Sequence, residues 1–191
     1  MRFRPMVLAL PLLLGACGYN SIQTMDETAA AAQKQISVQL QRRADLVPNL
    51  VNTVKGFAAQ EAEVFETVAK ARAGLAGAVS GGNIGEMANA NQQLTGALGR
   101  LLAISENYPQ LKSDQNFLRL QDELTGTENR IAVARTDYNG AVQAYNAYIR
   151  KFPQVLTAKV IGAKPRDYFD VTNPGAREVP TVDFSKPPAK P

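Results

Sequence analysis

FLRLQDELTGTENRIAVARTDYNGAVQAYNAYIRKF, residues 117–152, decides how the rest of the chain is to be read. In steps of three and four it gives Phe117, Leu120, Leu124, Thr127, Ile131, Ala134, Tyr138, Ala141, Tyr145, Tyr148 and Phe152. Every step but Thr127 is apolar or aromatic, and nothing alternates with period two, so the stretch is a helix and not a strand. A helix this long with a single apolar stripe cannot bury that stripe alone. The remaining sequence must supply partner helices, which makes the fold all-α.

Those partners are legible on both sides. Thr24-Met25-Asp26-Glu27 has the pattern of a capping box, and Ala29 to Ala32 are strong helix formers. Ile36, Leu40 and Arg43 then begin a seam that continues through Val47, Leu50, Val54 and Phe57 to Leu75. Ser80-Gly81-Gly82-Asn83 is a turn, with Asn83 and Glu86 as the next cap. Ile84 to Asn107 is a third helix, and Pro109 helps stop it. Ser113 and Asp114 open the long helix, Arg150 and Lys151 sit at its favourable end, and Pro153 closes it.

Pro48 admits two readings, because a proline inside a helix costs about 3 kcal/mol. In the first, a kinked helix runs straight through it. In the second the chain reverses near Arg42 and Arg43, Asp45 caps a new helix, and Pro48 falls in its first turn, where no hydrogen bond is lost. A continuous helix from Thr24 to Val79 would span roughly 84 Å, against roughly 36 Å and 58 Å for the two later helices. The long helix would then overshoot its partners, so lengths favour the reversal. The expected architecture is an antiparallel up-and-down four-helix bundle over residues 24–152. Residues 153–191 hold seven of the eleven prolines and are expected to form a short helix near Val155 to Ile161, then an extended, mostly unpacked tail. Tyr168, Phe169 and Phe184 are the residues there that could dock back.

The amino terminus reads as an export signal over residues 1–16. Arg2 and Arg4 are followed by the apolar run Met6 to Leu14, too short to span a bilayer. Leu14-Gly15-Ala16-Cys17 resembles the lipobox of bacterial lipoproteins. That resemblance implies cleavage before Cys17, its lipidation, and acylation of the new terminus by chains such as palmitate, with residues 17–23 as a tether. Gly18 in place of Asp favours the outer membrane, facing the periplasm. Buried acyl chains contribute about 0.8 kcal/mol per methylene, so two or three anchor a domain durably.

Composition narrows the function. Of 191 residues 45% are hydrophobic and 20% charged, as in a globular chain. Charge is +4, and removal of Arg2 and Arg4 leaves 19 basic against 17 acidic residues, a balance of +2 that implies no nucleic-acid partner. Histidine is absent and Cys17 is the only cysteine. Ser-His and Cys-His nucleophile systems are therefore excluded, and the same absence argues against His-dependent di-iron sites and against zinc sites. No catalytic residue, cofactor site or metal site is expected. A carboxylate pair for cell-wall hydrolysis stays formally open, with nothing pointing to one.

QRRADLVPNL (41–50) with TVKGF (53–57) is similar to the signature of the LemA family. So are ENYPQLK (106–112), ENRI (128–131), Arg135, Tyr138-Asn139, Tyr145-Asn146 and Phe152-Pro153. The resemblance covers residues 19–170. It implies a membrane-tethered four-helix bundle and no established activity. Many members carry a transmembrane helix where this chain has its lipobox, so the anchor is taken from Cys17 alone.

The residues singled out are Cys17 for lipid attachment and, for structure or interaction, Arg42, Arg43, Asp45, Pro48, Asn49, Glu128, Arg135, Tyr138, Asn139, Tyr145 and Asn146. Arg43 and Glu61 occupy seam positions, with Glu128 and Arg135 flanking the long helix. Together they read as an internal ion-pair network that sets register, against a pocket for a polar ligand. The tyrosines and asparagines at heptad spacing read as core with wet hydroxyls and cross-groove amides, against a peptide-binding groove. The expected function is an envelope scaffold or interaction module with a protein partner or self-association. An adaptor of an envelope protease or signalling complex is the second reading, and a weak cell-wall hydrolase the third.

Overall fold

A stripe repeating every three and four residues makes helices, and a computed structural model of the chain is helical accordingly. It describes the backbone of residues 4–170 and the side chains of residues 18–170. The elements are α1 (Arg4–Lys55), α2 (Ala62–Gly81), α3 (Ile84–Ile104), a 3-10 turn (Ser105–Asn107), α4 (Pro109–Lys112), α5 (Gln115–Tyr148) and α6 (Gln154–Val160). No strand occurs among the described residues. Phe184 and the rest of 171–191 lie outside them, as do residues 1–3 and the side chain of Cys17.

The reversal expected at Pro48 does not occur. Helix α1 passes through Thr24, Asp45 and Pro48 without a break. Thr24 caps nothing: its hydroxyl donates to the Asn20 carbonyl, one turn back. Pro48 lacks the N–H that would bond the Ala44 carbonyl, which is the usual reason a helix breaks there. Here Arg72 of α2 replaces it, its Nε donating to that carbonyl at 2.8 Å. The orphaned acceptor is satisfied from a neighbouring helix, so the proline is tolerated.

The chain turns instead at Gly56–Glu61. Lys55 Nζ lies 5.3 Å from the Phe65 ring centroid, Arg72 reaches Ala44, and Gln33 Nε2 donates to the Gly82 carbonyl at 2.8 Å. Helix α2 therefore descends antiparallel along the upper part of α1. The overshoot inferred from helix lengths vanishes, because one helix does not run to Val79. Gly82 closes α2 at φ 72°, a left-handed geometry that glycine adopts without strain. Asn83 caps α3 as expected, accepting from the Glu86 amide at 3.0 Å. Contacts of Ser37 with Met87 and of Arg43 with Asn91 show α3 running parallel to α1.

Asp114 caps α5, accepting from the Phe117 amide at 2.9 Å. Helix α5 descends against α1, with Glu128 beside Arg43, Arg130 beside Gln39 and Tyr145 beside Ile22. The expected stripe holds from Phe117 to Tyr138 and again at Tyr145, while Val142 and Ile149 take the buried places expected of Ala141 and Tyr148. A straight α-helix drifts about 20° per heptad from a strict seven-residue repeat, so a stripe this long must slip. Helix α5 ends at Tyr148, and Phe152 is 80% exposed.

One apolar core joins α1, α2, α3, α4 and α5, with Phe169 packed into it. A second cluster of Ile22, Tyr145, Ile149 and Ala158 binds α6 to the lower ends of α1 and α5. Among the described residues no helix is long and apolar enough to cross a membrane.

Candidate functional site

Two polar constellations lie on the α1–α5 interface, about four helical turns apart. The upper one is built on Arg43, which its seam position buries to 5% exposure. Its Nη1 is 2.6 Å from Glu128 Oε2 and donates to Asn91 Oδ1 at 2.5 Å, while its Nε has no partner. Burial pushes the guanidinium pKa down, and the Glu128 carboxylate partly restores it. Glu128 is itself 45% exposed, so the pair is a buried cation with a partly hydrated anion. Glu61 does not join it: it faces Tyr108, whose hydroxyl lies 3.5 Å from Glu61 Oε1 and also accepts from Gln60. Arg135 is exposed on the outer side of α5. Of the four charges expected to form one network, the structure brings together Arg43 and Glu128.

Arg42, Asp45 and Asn49 are exposed on α1, and Gln41 donates to Asp45 at 2.8 Å. They belong to the outer face and take no part in either constellation. Thr127, the one polar step of the α5 stripe, is fully buried and donates to the Glu123 carbonyl at 2.8 Å.

The lower constellation gathers Tyr138, Asn139, Tyr145 and Asn146, and here the chain departs from the expected unpacked tail. Residues 164–170 run as a non-helical strap against α5. Asn146 donates to the Arg166 carbonyl and accepts from the Arg166 amide, both at 2.8 Å. Asn139 makes the same pair with Phe169, donating at 3.3 Å and accepting at 2.9 Å. Tyr138 donates to the Asp167 carbonyl at 2.7 Å. Each asparagine offers one donor and one acceptor, which is what a neighbouring strand would offer. Seven helical residues rise about 10.5 Å, and three extended residues span about 10 Å. The heptad spacing of Asn139 and Asn146 thus matches the three-residue spacing of Phe169 and Arg166. Phe169 is buried in the core, whereas Tyr168 stays exposed.

Arg166 also ties the strap to α1, its Nε donating to Asp26 Oδ1 at 2.7 Å. That bond holds the Asp26 carboxyl below its ordinary pKa, against the opposing effect of burial, with a smaller contribution from the Tyr145 hydroxyl. Burial raises the pKa of Tyr145, and the Asp26 charge raises it further. Burial raises Tyr138 as well. A hollow of about 390 Å³ lies between Ile22, Asp26, Tyr145 and the chain from Ile161 to Arg166.

Arg72, Asn91, Asp26 and Arg166 were not among the residues singled out from sequence. Only Pro48 signals one of them, since it demands a donor for Ala44 from somewhere. The peptide held at the Tyr138–Asn146 face is the chain's own.

A profile of the LemA family matches residues 32–184. The chain is 32% identical over 174 residues to the magnetosome proteins MamQ 1 and MamQ 2 of Paramagnetospirillum magneticum. It is 33% identical over 174 residues to magnetosome protein MamQ of Magnetospirillum gryphiswaldense. Each alignment covers 79% of this chain and 64% of the relative, so the chain spans a little under two thirds of these relatives.

Proposed function

The chain belongs to the LemA family, and on that premise we propose that it is a cell-envelope lipoprotein, held through Cys17, whose helical body acts as a non-enzymatic scaffold or protein-interaction module. The alternating courses of α1, α2, α3 and α5 are taken as an up-and-down four-helix bundle. The domain faces the periplasm, with the outer membrane favoured by Gly18.

One observation carries the scaffold reading. Tyr138, Asn139 and Asn146 of the lower constellation spend their hydrogen bonds on the chain's own backbone, through Arg166, Asp167 and Phe169. Groups so committed serve to hold the fold and leave little to recognise a substrate. The tether reading rests on the lipobox, and the residues that follow it, Gly18 to Gln23, are part of helix α1. A tether of that kind would hold the body at a fixed attitude to the membrane.

Fractionation tests the tether: Cys17→Ser should leave the membrane fraction, and full retention would refute the anchor. Crosslinking in intact membranes, followed by identification of the captured proteins, tests the interaction role. Recovery of one envelope protease or signalling complex would make the protein an adaptor, and recovery of the chain alone would make it a self-assembling scaffold. Turnover of peptidoglycan by purified protein, lost on substitution of a single glutamate, would overturn the non-enzymatic reading.

A further inference from the structure

The region around α6 has a surface that the core does not explain. Ala158 faces inward onto Ile22, Tyr145 and Ile149. On the outside stand Phe152, Leu156 and Val160, at 80%, 56% and 87% exposure. Leu156 and Val160 lie one turn apart on α6 and Phe152 in the turn just before it, and large apolar side chains exposed so close along the chain mark a candidate interaction surface. From Ile149 to Pro165 the chain contains no acidic residue, while Arg150, Lys151, Lys159 and Lys164 are exposed. The patch is therefore apolar at its centre and cationic at its rim.

Its place in the fold indicates what covers it. Gly18 lies against α6: a Cβ built there would meet Gln154 Cγ at 3.4 Å and Thr157 Oγ1 at 3.6 Å. Residue 18 adjoins Cys17, so α6 stands level with the point of lipid attachment. Tyr19 is exposed on the same turn of α1. Aromatic side chains favour the headgroup region of a bilayer, and lysine and arginine beside them attract anionic lipid.

We propose that the exposed Leu156–Val160 face of α6, with Phe152 in the turn before it and a basic rim, inserts into the interfacial layer of an anionic phospholipid membrane. A helix of seven residues is too short to hold a bilayer alone. A tether at the adjacent residue raises its effective concentration at the surface, so a weak contact suffices to fix orientation. The inference rests on the tethered reading above, both for the membrane as occupant and for this concentrating effect.

Full-length protein carrying Leu156→Cys, spin-labelled and reconstituted in vesicles of phosphatidylcholine and phosphatidylglycerol, tests it. Oxygen should relax the label at 156 more than a water-soluble nickel chelate does. The order should reverse for a label at Val133→Cys, an exposed site on α5 away from α6. In vesicles of phosphatidylcholine alone the oxygen preference at 156 should fall. Equal behaviour at 156 and 133 would overturn the proposal. So would a label at 156 that is immobilised and shielded from both reagents, since that means a protein covers the patch. The mass of the labelled chain separates this from the anchor: a second label on Cys17 shows it unlipidated, and the measurement is then read in a Cys17→Ser background.

Discussion

Around Arg43 and around Asn146 the same two helices are secured in different ways. At Arg43 the third and fourth partners are helices, and the apolar side chains of α2 and α3 complete the core over α1 and α5. A single charged side chain is carried inside, paired to Glu128 and Asn91. At Asn146 the covering element is a strap without regular structure, and it is held mainly by side chains bonding its backbone. The upper region resembles a packed core with a register pin. The lower region resembles one strand laid on a helix. The first gains from apolar area, and the second gains from satisfying polar groups that would otherwise be buried unpaired.

Glu128→Gln should have the largest effect. It leaves the Arg43 cation buried without its counter-charge, and breaking such a pair from one side costs about 3–5 kcal/mol. Partial hydration of Glu128 lowers that to about 2–3 kcal/mol. Arg43→Met removes the charge itself and leaves Glu128 free to hydrate, so it should lower the melting temperature by less. Denaturant unfolding of both variants decides the matter. Equal losses would mean that the pair is not asymmetric, and an unchanged stability in Arg43→Met with a lost cellular phenotype would end the register reading.

Asn146→Ala comes next, at about 1–3 kcal/mol for two backbone groups of Arg166 left without partners. The loss should be local. Amide exchange should accelerate across 164–170 and leave α2 and α3 protected, because the hydrogen bonds that Tyr138, Asn139, Asn146 and Asp26 make to the strap come from α5 and α1. Uniform acceleration throughout would show that strap and bundle unfold as one unit, and the two-region contrast would fail.

The division also explains what was legible beforehand. The α5 stripe announces itself because apolar side chains repeat, and Asn83 and Asp114 announce their caps because those residue types accept amide hydrogens at helix starts. The stripe misleads only at Ala141, Tyr148 and Phe152, beyond Tyr138, where helical drift accumulates. Phe169 marks a residue able to dock, and it does, but the path of the strap is not legible, since the partners of Asn139 and Asn146 are backbone groups, which leave no pattern in a sequence. Pro48 misleads for a related reason. Its compensation comes from Arg72, on another helix and 24 residues away, while local rules see only the missing amide.

A double-mutant cycle at that position should give a smaller effect. Arg72→Met leaves the Ala44 carbonyl without a donor, at a cost of about 1–2 kcal/mol. With Pro48→Ala in place the restored amide can take that carbonyl, and the same substitution should cost little. Identical costs in both backgrounds would show that the Arg72 bond does not stand in for the missing amide.

The smallest effect is the pH dependence of the Asp26–Arg166 link, an ion pair joining strap to α1. Its folded carboxyl titrates below the ordinary aspartate value of about 4 because Arg166 bonds the ionised form. The stability it contributes is therefore complete above about pH 5, where folded and unfolded carboxyls are both ionised, and it is lost as pH falls through the folded value. Both partners are partly exposed, so the contribution is about 0.5 kcal/mol. Other carboxylates titrate in the same range, and the useful quantity is the difference between the chain and Asp26→Asn. That difference should be constant from pH 6 upward and shrink below pH 4. If it instead grows as pH falls, Asp26 is more easily protonated in the folded chain than in the unfolded one. The link would then be a burden on the lower region, and the strap would be held by the asparagines and Tyr138 in spite of it.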